Sequence, residues 1–354
     1  MIDFRYHLVS LIAVFLALAL GILLGAGPLN APLGDQLTGQ VEELREDRDR
    51  LRTELEVSEV ERENRDEFLA EVAPATLGSR LEGRAVAVVV LPGANEDDVA
   101  DVRLRLEQAG ATVTGQVQVT EAWTDPDTAT FRSSFAGQIL GYLDPAPDES
   151  ADTGVILGTA LGQALTRGEV DGSLTTDAET LLELLVSAED PLVELTEEPG
   201  QAANATVVVA PRSEATGAGD GGESVDVENR EERLTEEVAL ARGITATGEG
   251  SVVVGSAATE LDLVSAVRTG DAAEVVTTVD SVAELTGRLS VPMALAVAIS
   301  GEVGHYGVGA EATAAVPPTV YLPPPAAPEP ETEEPEAGDA QTEEPEGAET
   351  EDAA

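Results

Sequence analysis

The chain has 354 residues, 42% of them hydrophobic, with 68 acids against 19 bases and a formal charge of −49. Every base is arginine and cysteine is absent, which excludes disulfides, thiolate metal sites, thiol catalysis, a P-loop lysine and Schiff-base chemistry. The same acid excess leaves no broad cationic face, so no nucleic-acid partner is expected, and the acidity reads as solubility through self-repulsion.

Residues 8–29 carry no charge, and at ~1.5 Å per residue they reach ~30 Å, the thickness of a bilayer's hydrocarbon core. Arg5 and His7 flank the start and no base follows until Arg45, so the positive-inside rule places the N-terminus in the cytoplasm and exports the rest. A cleaved signal peptide is the rival reading, but its apolar stretch is typically only ~7–15 residues and an A-x-A site is missing. Residues 1–29 are therefore expected to be a retained anchor, with membrane lipid as partner. Ala13, Ala17, Gly21 and Gly25 recur every four residues and line one face, where two helix backbones can approach closely.

Residues 30–74 read as a coiled-coil stalk. Leu37, Val41, Leu44, Arg48, Leu51, Leu55, Ser58, Arg62, Arg65, Leu69 and Val72 alternate in steps of four and three, the rhythm of a left-handed seam. Leu37, Val41, Leu44, Leu51 and Leu55 make its good half, so a homo-oligomer through the membrane row and stalk is expected. Pro74 is expected to end the helix. An amphipathic helix packed onto the globular part is the competing reading.

Residues 75–316 read as an α/β region outside the cytoplasm. Unbroken apolar runs at 85–91, 205–210 and 251–255, an alternating run at 112–119 and a weaker one at 274–279 predict strands. Helical patterns fall at 99–109, 229–242, 259–268 and 281–299, and most of 131–185 reads helical, with 155–157 undecided. Solid valine runs are buried on both faces, which predicts a mainly parallel sheet covered by helices. Residues 213–228 read as a loop. From Pro317 proline and acid dominate, and residues 317–354 are expected to be a disordered acidic tail.

The opening RYHLVSLIAVFLALALGILLG, the stalk, the α/β body and the late G-x-x-G-H-Y-G at Gly301, Gly304, His305, Tyr306 and Gly307 resemble the mycobacterial copper-transport protein B (MctB) family. In the opening, Arg5, His7, Ser10, Leu11, Ala13, Val14, Phe15, Leu16, Ala17, Gly21 and Gly25 are similar to the family's N-terminal pattern. The resemblance covers residues 1 to about 320. It implies an envelope location, copper efflux and homeostasis, and an outer-membrane pore, with copper as transported ion and not as cofactor.

The residues themselves imply less. Copper is held by thiolate, thioether or imidazole, and the exported part offers only Met293 and His305. A transmembrane β-barrel would need many alternating strands with aromatic girdles, whereas aromatics are 3% of this chain. No G-x-S-x-G elbow or full G-x-G-x-x-G is visible, so no enzyme and no cofactor is expected. Gly93, Gly158 and Gly162 read as isolated turn glycines. The crevice to inspect lies after the parallel strands, at 92–96, 211–214 and 255–260. The alternative to copper transport is a non-transporting structural or interaction module of the envelope.

Overall fold

The computed structural model describes residues 4–25, 31–148, 150–188, 190–212 and 223–325, with only the backbone for Leu24, 31–38 and 223–228. Residues 213–222 of the expected loop at 213–228, the end of the apolar span and the tail beyond Pro325 lie outside the described residues. The chain divides into two units, Met1–Phe68 and Leu69–Ala354.

The first unit is helical. Helix α1, Phe4–Gly25, contains an uncharged stretch of membrane-spanning length, and its described side chains are exposed. Helix α2, Ala31–Leu77, continues through Pro74 for one more turn, where the sequence had suggested a stop. Proline removes one donor and strains the turn before it, but this one lies three residues from the helix end, and Ala73 and Leu77 are buried on either side of it.

The second unit is a seven-stranded sheet of order β3-β2-β1-β4-β5-β6-β7. In chain order it comprises β1 (Ala85–Val90), α3 (Glu96–Gln108), β2 (Thr112–Val119), α4 (Ala129–Ile139), α5 (Thr153–Thr166), α6 (Thr176–Ser187), β3 (Val193–Glu197) and β4 (Ala205–Val209). There follow α7 (Glu223–Thr245), β5 (Gly250–Val254), α8 (Leu263–Thr269), β6 (Thr277–Val279), α9 (Leu285–Ile299) and β7 (His305–Tyr306). All pairings are parallel except β2 with β3.

The alternation of each central strand explains why it reads as solid valine. Val86, Val88 and Val90 pack on one face with Val99, Val102 and Leu106 of α3 and with Val291 and Leu295 of α9. Ala87, Val89 and Leu91 pack on the other with α5, α6, α7 and α8. Both faces are covered, so neither can be polar.

Four expectations shift. Residues 155–157 are helical, within α5. Helix α7 begins by Glu223, inside the stretch read as a loop. Strands β3 and β7 were not foreseen. And 317–325 does not dissolve at Pro317: Val320 and Leu322 pack against the α3–α9 core, and the Pro323 carbonyl accepts from Arg84 at 3.1 Å.

Candidate functional site

The strand order reverses direction between β1 and β4, the place where open α/β sheets form a crevice beyond the carboxyl ends of their strands. Here β1 leads into Leu91, Pro92 and Gly93, whose φ of +78° makes the sharp turn. Asn95 then caps α3, its side-chain oxygen accepting from the amides of Asp97 and Asp98 at 3.0 and 3.2 Å. On the neighbouring strand the chain leaves β4 through Pro211 and Arg212. Between them lies a cleft of about 490 Å³ lined by Gly93, Asn95, Glu96, Asp97, Pro211 and Arg212.

Beneath the cleft runs a ladder of charge. Arg212 grips the buried Asp98 with two bonds of 2.7 and 2.8 Å. Arg288 of α9 reaches the same carboxylate at 2.9 Å and Asp101 at 2.6 Å. Asp101 also holds Arg105 at 2.5 Å. Three arginines thus share two aspartates; Arg288 and Arg105 are largely buried, while Arg212 is paired with Asp98 and itself lines the cleft. Glu96 and Asp97 stand at the mouth, so the helix N-terminus faces acid already. The cleft can hydrogen-bond a small polar molecule, but none of its lining residues is a nucleophile paired with a base.

The structure brings the predicted loop 92–96 together with residues 211–212 of the predicted loop 211–214, whose last two residues lie outside the described residues. It separates them from Glu260, which lines a different groove with Asp152, Glu231 and Arg242, between α5, α7 and α8. Among the described residues no group of three or more His, Asp or Glu is arranged to hold a metal.

The late glycine motif closes a second polar cluster at the far edge of the sheet. Asp280 follows β6 and is buried with Arg268 of α8, which donates to it at 2.8 Å. The carboxylate also accepts from the Ser281 hydroxyl at 2.6 Å and from the amides of Val308 and Gly309 at 3.0 and 2.8 Å. Burial pushes the Asp280 pKa up, but these donors outweigh it and hold the group below the ordinary carboxylate value. Gly307 lies against that carboxylate, where any side chain would collide.

His305 belongs to the same cluster. Arg268 donates through Nε to the Thr278 hydroxyl at 3.0 Å, and that hydroxyl lies 2.9 Å from His305 Nδ1. The Thr278 oxygen has two lone pairs, so its hydroxyl either donates to Nδ1 or accepts from it, according to the tautomer of the ring. Burial first, and then the Arg268 charge, lower the His305 pKa; a backbone bond to Ala273 opposes them, and the net direction is down. Met293 is half-buried against the apolar cluster of α3 and α9. His305 and Met293 thus have different surroundings.

On α1, nothing lies within 4 Å of where a side chain at Gly21 or Gly25 would begin, and Ala13 and Ala17 sit on the same exposed helix. On α2, Val41, Leu44, Leu51 and Leu55 are all exposed, while for Leu37 only the backbone is described. Gly158 and Gly162, read as turn glycines, are instead in the middle of α5. With Gly154 they form a row every four residues that seats α7 directly on the α5 backbone.

A family model described as "Copper transport outer membrane protein, MctB" matches residues 1–317. The chain belongs to the MctB family. "Copper transporter MctB" of Mycobacterium tuberculosis is 31% identical over 324 residues, covering 87% of this chain and 97% of that protein. The protein of the same name from Mycobacterium leprae (strain TN) is 29% identical over 332 residues, covering 90% and 100%. The MctB match takes in α1, α2, the whole sheet and the G-x-x-G-H-Y-G cluster, and it ends at residue 317, before the acidic tail.

Sequence reasoning missed the charge ladder of Asp98, Asp101, Arg105, Arg212 and Arg288, and also Arg268, Thr278 and Asp280 around His305. The sequence holds no local signal for the ladder, because Arg105, Arg212 and Arg288 lie far apart in the chain and only the fold gathers them.

Proposed function

We propose that this chain is a single-pass membrane protein of the cell envelope that contributes to copper efflux and homeostasis, with residues 1–29 as anchor, 30–74 as stalk and the α/β body on the exported side. One observation carries the reading: the similarity to proteins named copper transporters spans residues 1–317, from the apolar helix α1 through the α/β body. Helix α1 supports the anchor, being long and apolar enough to cross a bilayer. Arg5 in its first turn and the absence of any further base until Arg45 support the orientation.

On this reading the body performs no catalysis and holds no resident cofactor, and copper is cargo. The sheet is covered by helices on both faces, which supports a conducting path built from several copies of α1 in preference to one built from the strands. The test is cell copper under copper load in a strain lacking the chain. Copper content should rise and tolerance fall, both restored by the intact chain and not by one lacking residues 1–29. Unchanged content and tolerance would refute the copper role, and protease access to the body from outside the cell checks the topology.

A second reading, a structural or interaction module that moves no copper, is favoured by the state of the ligand candidates. The His305 ring is engaged by Thr278 and Ala273, and Met293 packs among apolar side chains. Copper titration and bilayer conductance of the full-length oligomer separate the two: neither signal is expected of the module.

A further inference from the structure

We infer that residues 41–55 of α2 form a parallel, in-register seam with a second copy of this chain. The helix places Val41, Arg48 and Leu55 at one seam position of the heptad and Leu44 and Leu51 at the other. All four apolar members are uncovered, with exposures of 46% for Val41, 67% for Leu44 and 59% for both Leu51 and Leu55. Isolated exposed leucines need no explanation, but a row that keeps the heptad step over two heptads does.

Charge identifies the occupant and its direction. In a parallel pair each residue flanking the seam on one side faces the partner's residue five positions on, which sets Asp47 against Arg52 twice, once across each side. Antiparallel pairing would instead set Arg45 against Arg52 and gather Asp47 with acids, so it is opposed by like charges. Within one chain Asp47 and Arg52 make only exposed contacts, to Arg50 at 2.9 Å and Glu56 at 3.7 Å. Such pairs are worth little and exchange readily.

Arg48 at the central layer weakens the seam but fixes its register, since a charged layer out of alignment would meet leucine. Beyond Leu55 the pattern reverses. Ser58, Arg62 and Arg65 occupy seam positions, and Glu54 would face Glu59, and Glu61 would face Asp66. The seam therefore ends near Leu55. Its ~21 Å is short for a free coiled coil. The parallel direction, which rests on the anchoring reading above, also supplies the remedy: α2 begins six residues after α1 ends, and two copies held in one membrane meet at high effective concentration.

The cysteine-free sequence makes the test direct, because a single introduced cysteine reports alone. In the full-length chain, Leu44→Cys and Leu51→Cys should give disulfide-linked dimers on mild oxidation, while Glu46→Cys and Thr53→Cys, on the outer face of the heptad, should not. Equal cross-linking at all four positions, or none at 44 and 51, would overturn the seam. Direction and register are read by mixing an Asp47→Arg chain with an Arg52→Asp chain, each carrying Leu44→Cys. Each substitution repels itself and complements the other, so mixed dimers should exceed the statistical half. A statistical mixture, or a preference for like with like, overturns the parallel register. Retention in the membrane after alkaline extraction is scored separately, so loss of the anchor and loss of the seam give different results.

Discussion

Asp280 and Arg268 show how the late glycine motif is held in place by packing. Both are almost wholly removed from water, so removing one charge strands the other in a low-dielectric interior. Asp280→Asn is expected to cost about 3–5 kcal/mol, seen as a lower urea midpoint in the fluorescence of Trp123, the sole tryptophan and fully buried. A loss below about 1 kcal/mol would mean that the amides of Val308 and Gly309 suffice without the charge. His305 adds a pH dependence. Its folded pKa lies below the ordinary 6.5 and that of Asp280 below the ordinary 3.8, so in both cases the unfolded chain binds protons first as pH falls. The His305 contribution is complete above the imidazole range and is withdrawn as pH drops through it, while that of Asp280 is withdrawn only in strong acid. The thermal midpoint should therefore fall further between pH 7.5 and 5.5 in the wild type than in His305→Gln, which leaves His7 in place as a common background. The sequence displayed the glycines and the histidine of this cluster but not their partners: Arg268 lies 37 residues before His305, and only the pairing of β6 with β7 brings them together.

At the scale of elements, the legible parts were those whose environment is uniform along the chain. β1, β4 and β5 are buried on both faces, so their apolar runs mark them almost to the residue. β3 is an edge strand with only Val193 buried among its five residues, and β7 has two residues, so neither leaves a periodic trace. Glycine rows show the opposite problem, one pattern in two settings. The row Ala13, Ala17, Gly21, Gly25 is uncovered, whereas an added side-chain carbon at Gly158 would lie 2.6 Å from the Leu240 carbonyl oxygen. Gly158→Ala must push two backbones apart and is expected to destabilise by about 1–3 kcal/mol. Gly137, in the exposed face of α4 with nothing within 4 Å, is the control. Its replacement by alanine should stabilise by roughly 0.5–1 kcal/mol, and equal effects at the two positions would contradict the packing role of the α5 row.

At the scale of the whole molecule, charge opposes compaction. Among 68 acids at most 19 can face an arginine one to one, and the structure spends several arginines together on few acids, as at Asp98 and Asp101. Removing the 12 acids between Glu329 and Asp352 from the formal −49 still leaves −37, so the repulsion is not confined to that stretch. Salt has two opposed effects. It weakens exposed ion pairs such as Arg50–Glu54 and Arg52–Glu56, each worth at most ~1 kcal/mol, and it screens repulsion across the molecule. Buried pairs such as Arg268–Asp280 are shielded from it. Unpaired acids outnumber exposed pairs, so repulsion outweighs the attraction that salt removes. The thermal midpoint read from Trp123 should rise as salt goes from 0.01 M to 1 M, where the screening length shrinks from ~30 Å to ~3 Å, by about 2–4 °C for each kcal/mol of repulsion relieved. A chain ending at Pro325 should keep most of that rise. A midpoint that falls with salt would show that ion pairs, and not the surplus of acid, dominate the electrostatics of the fold.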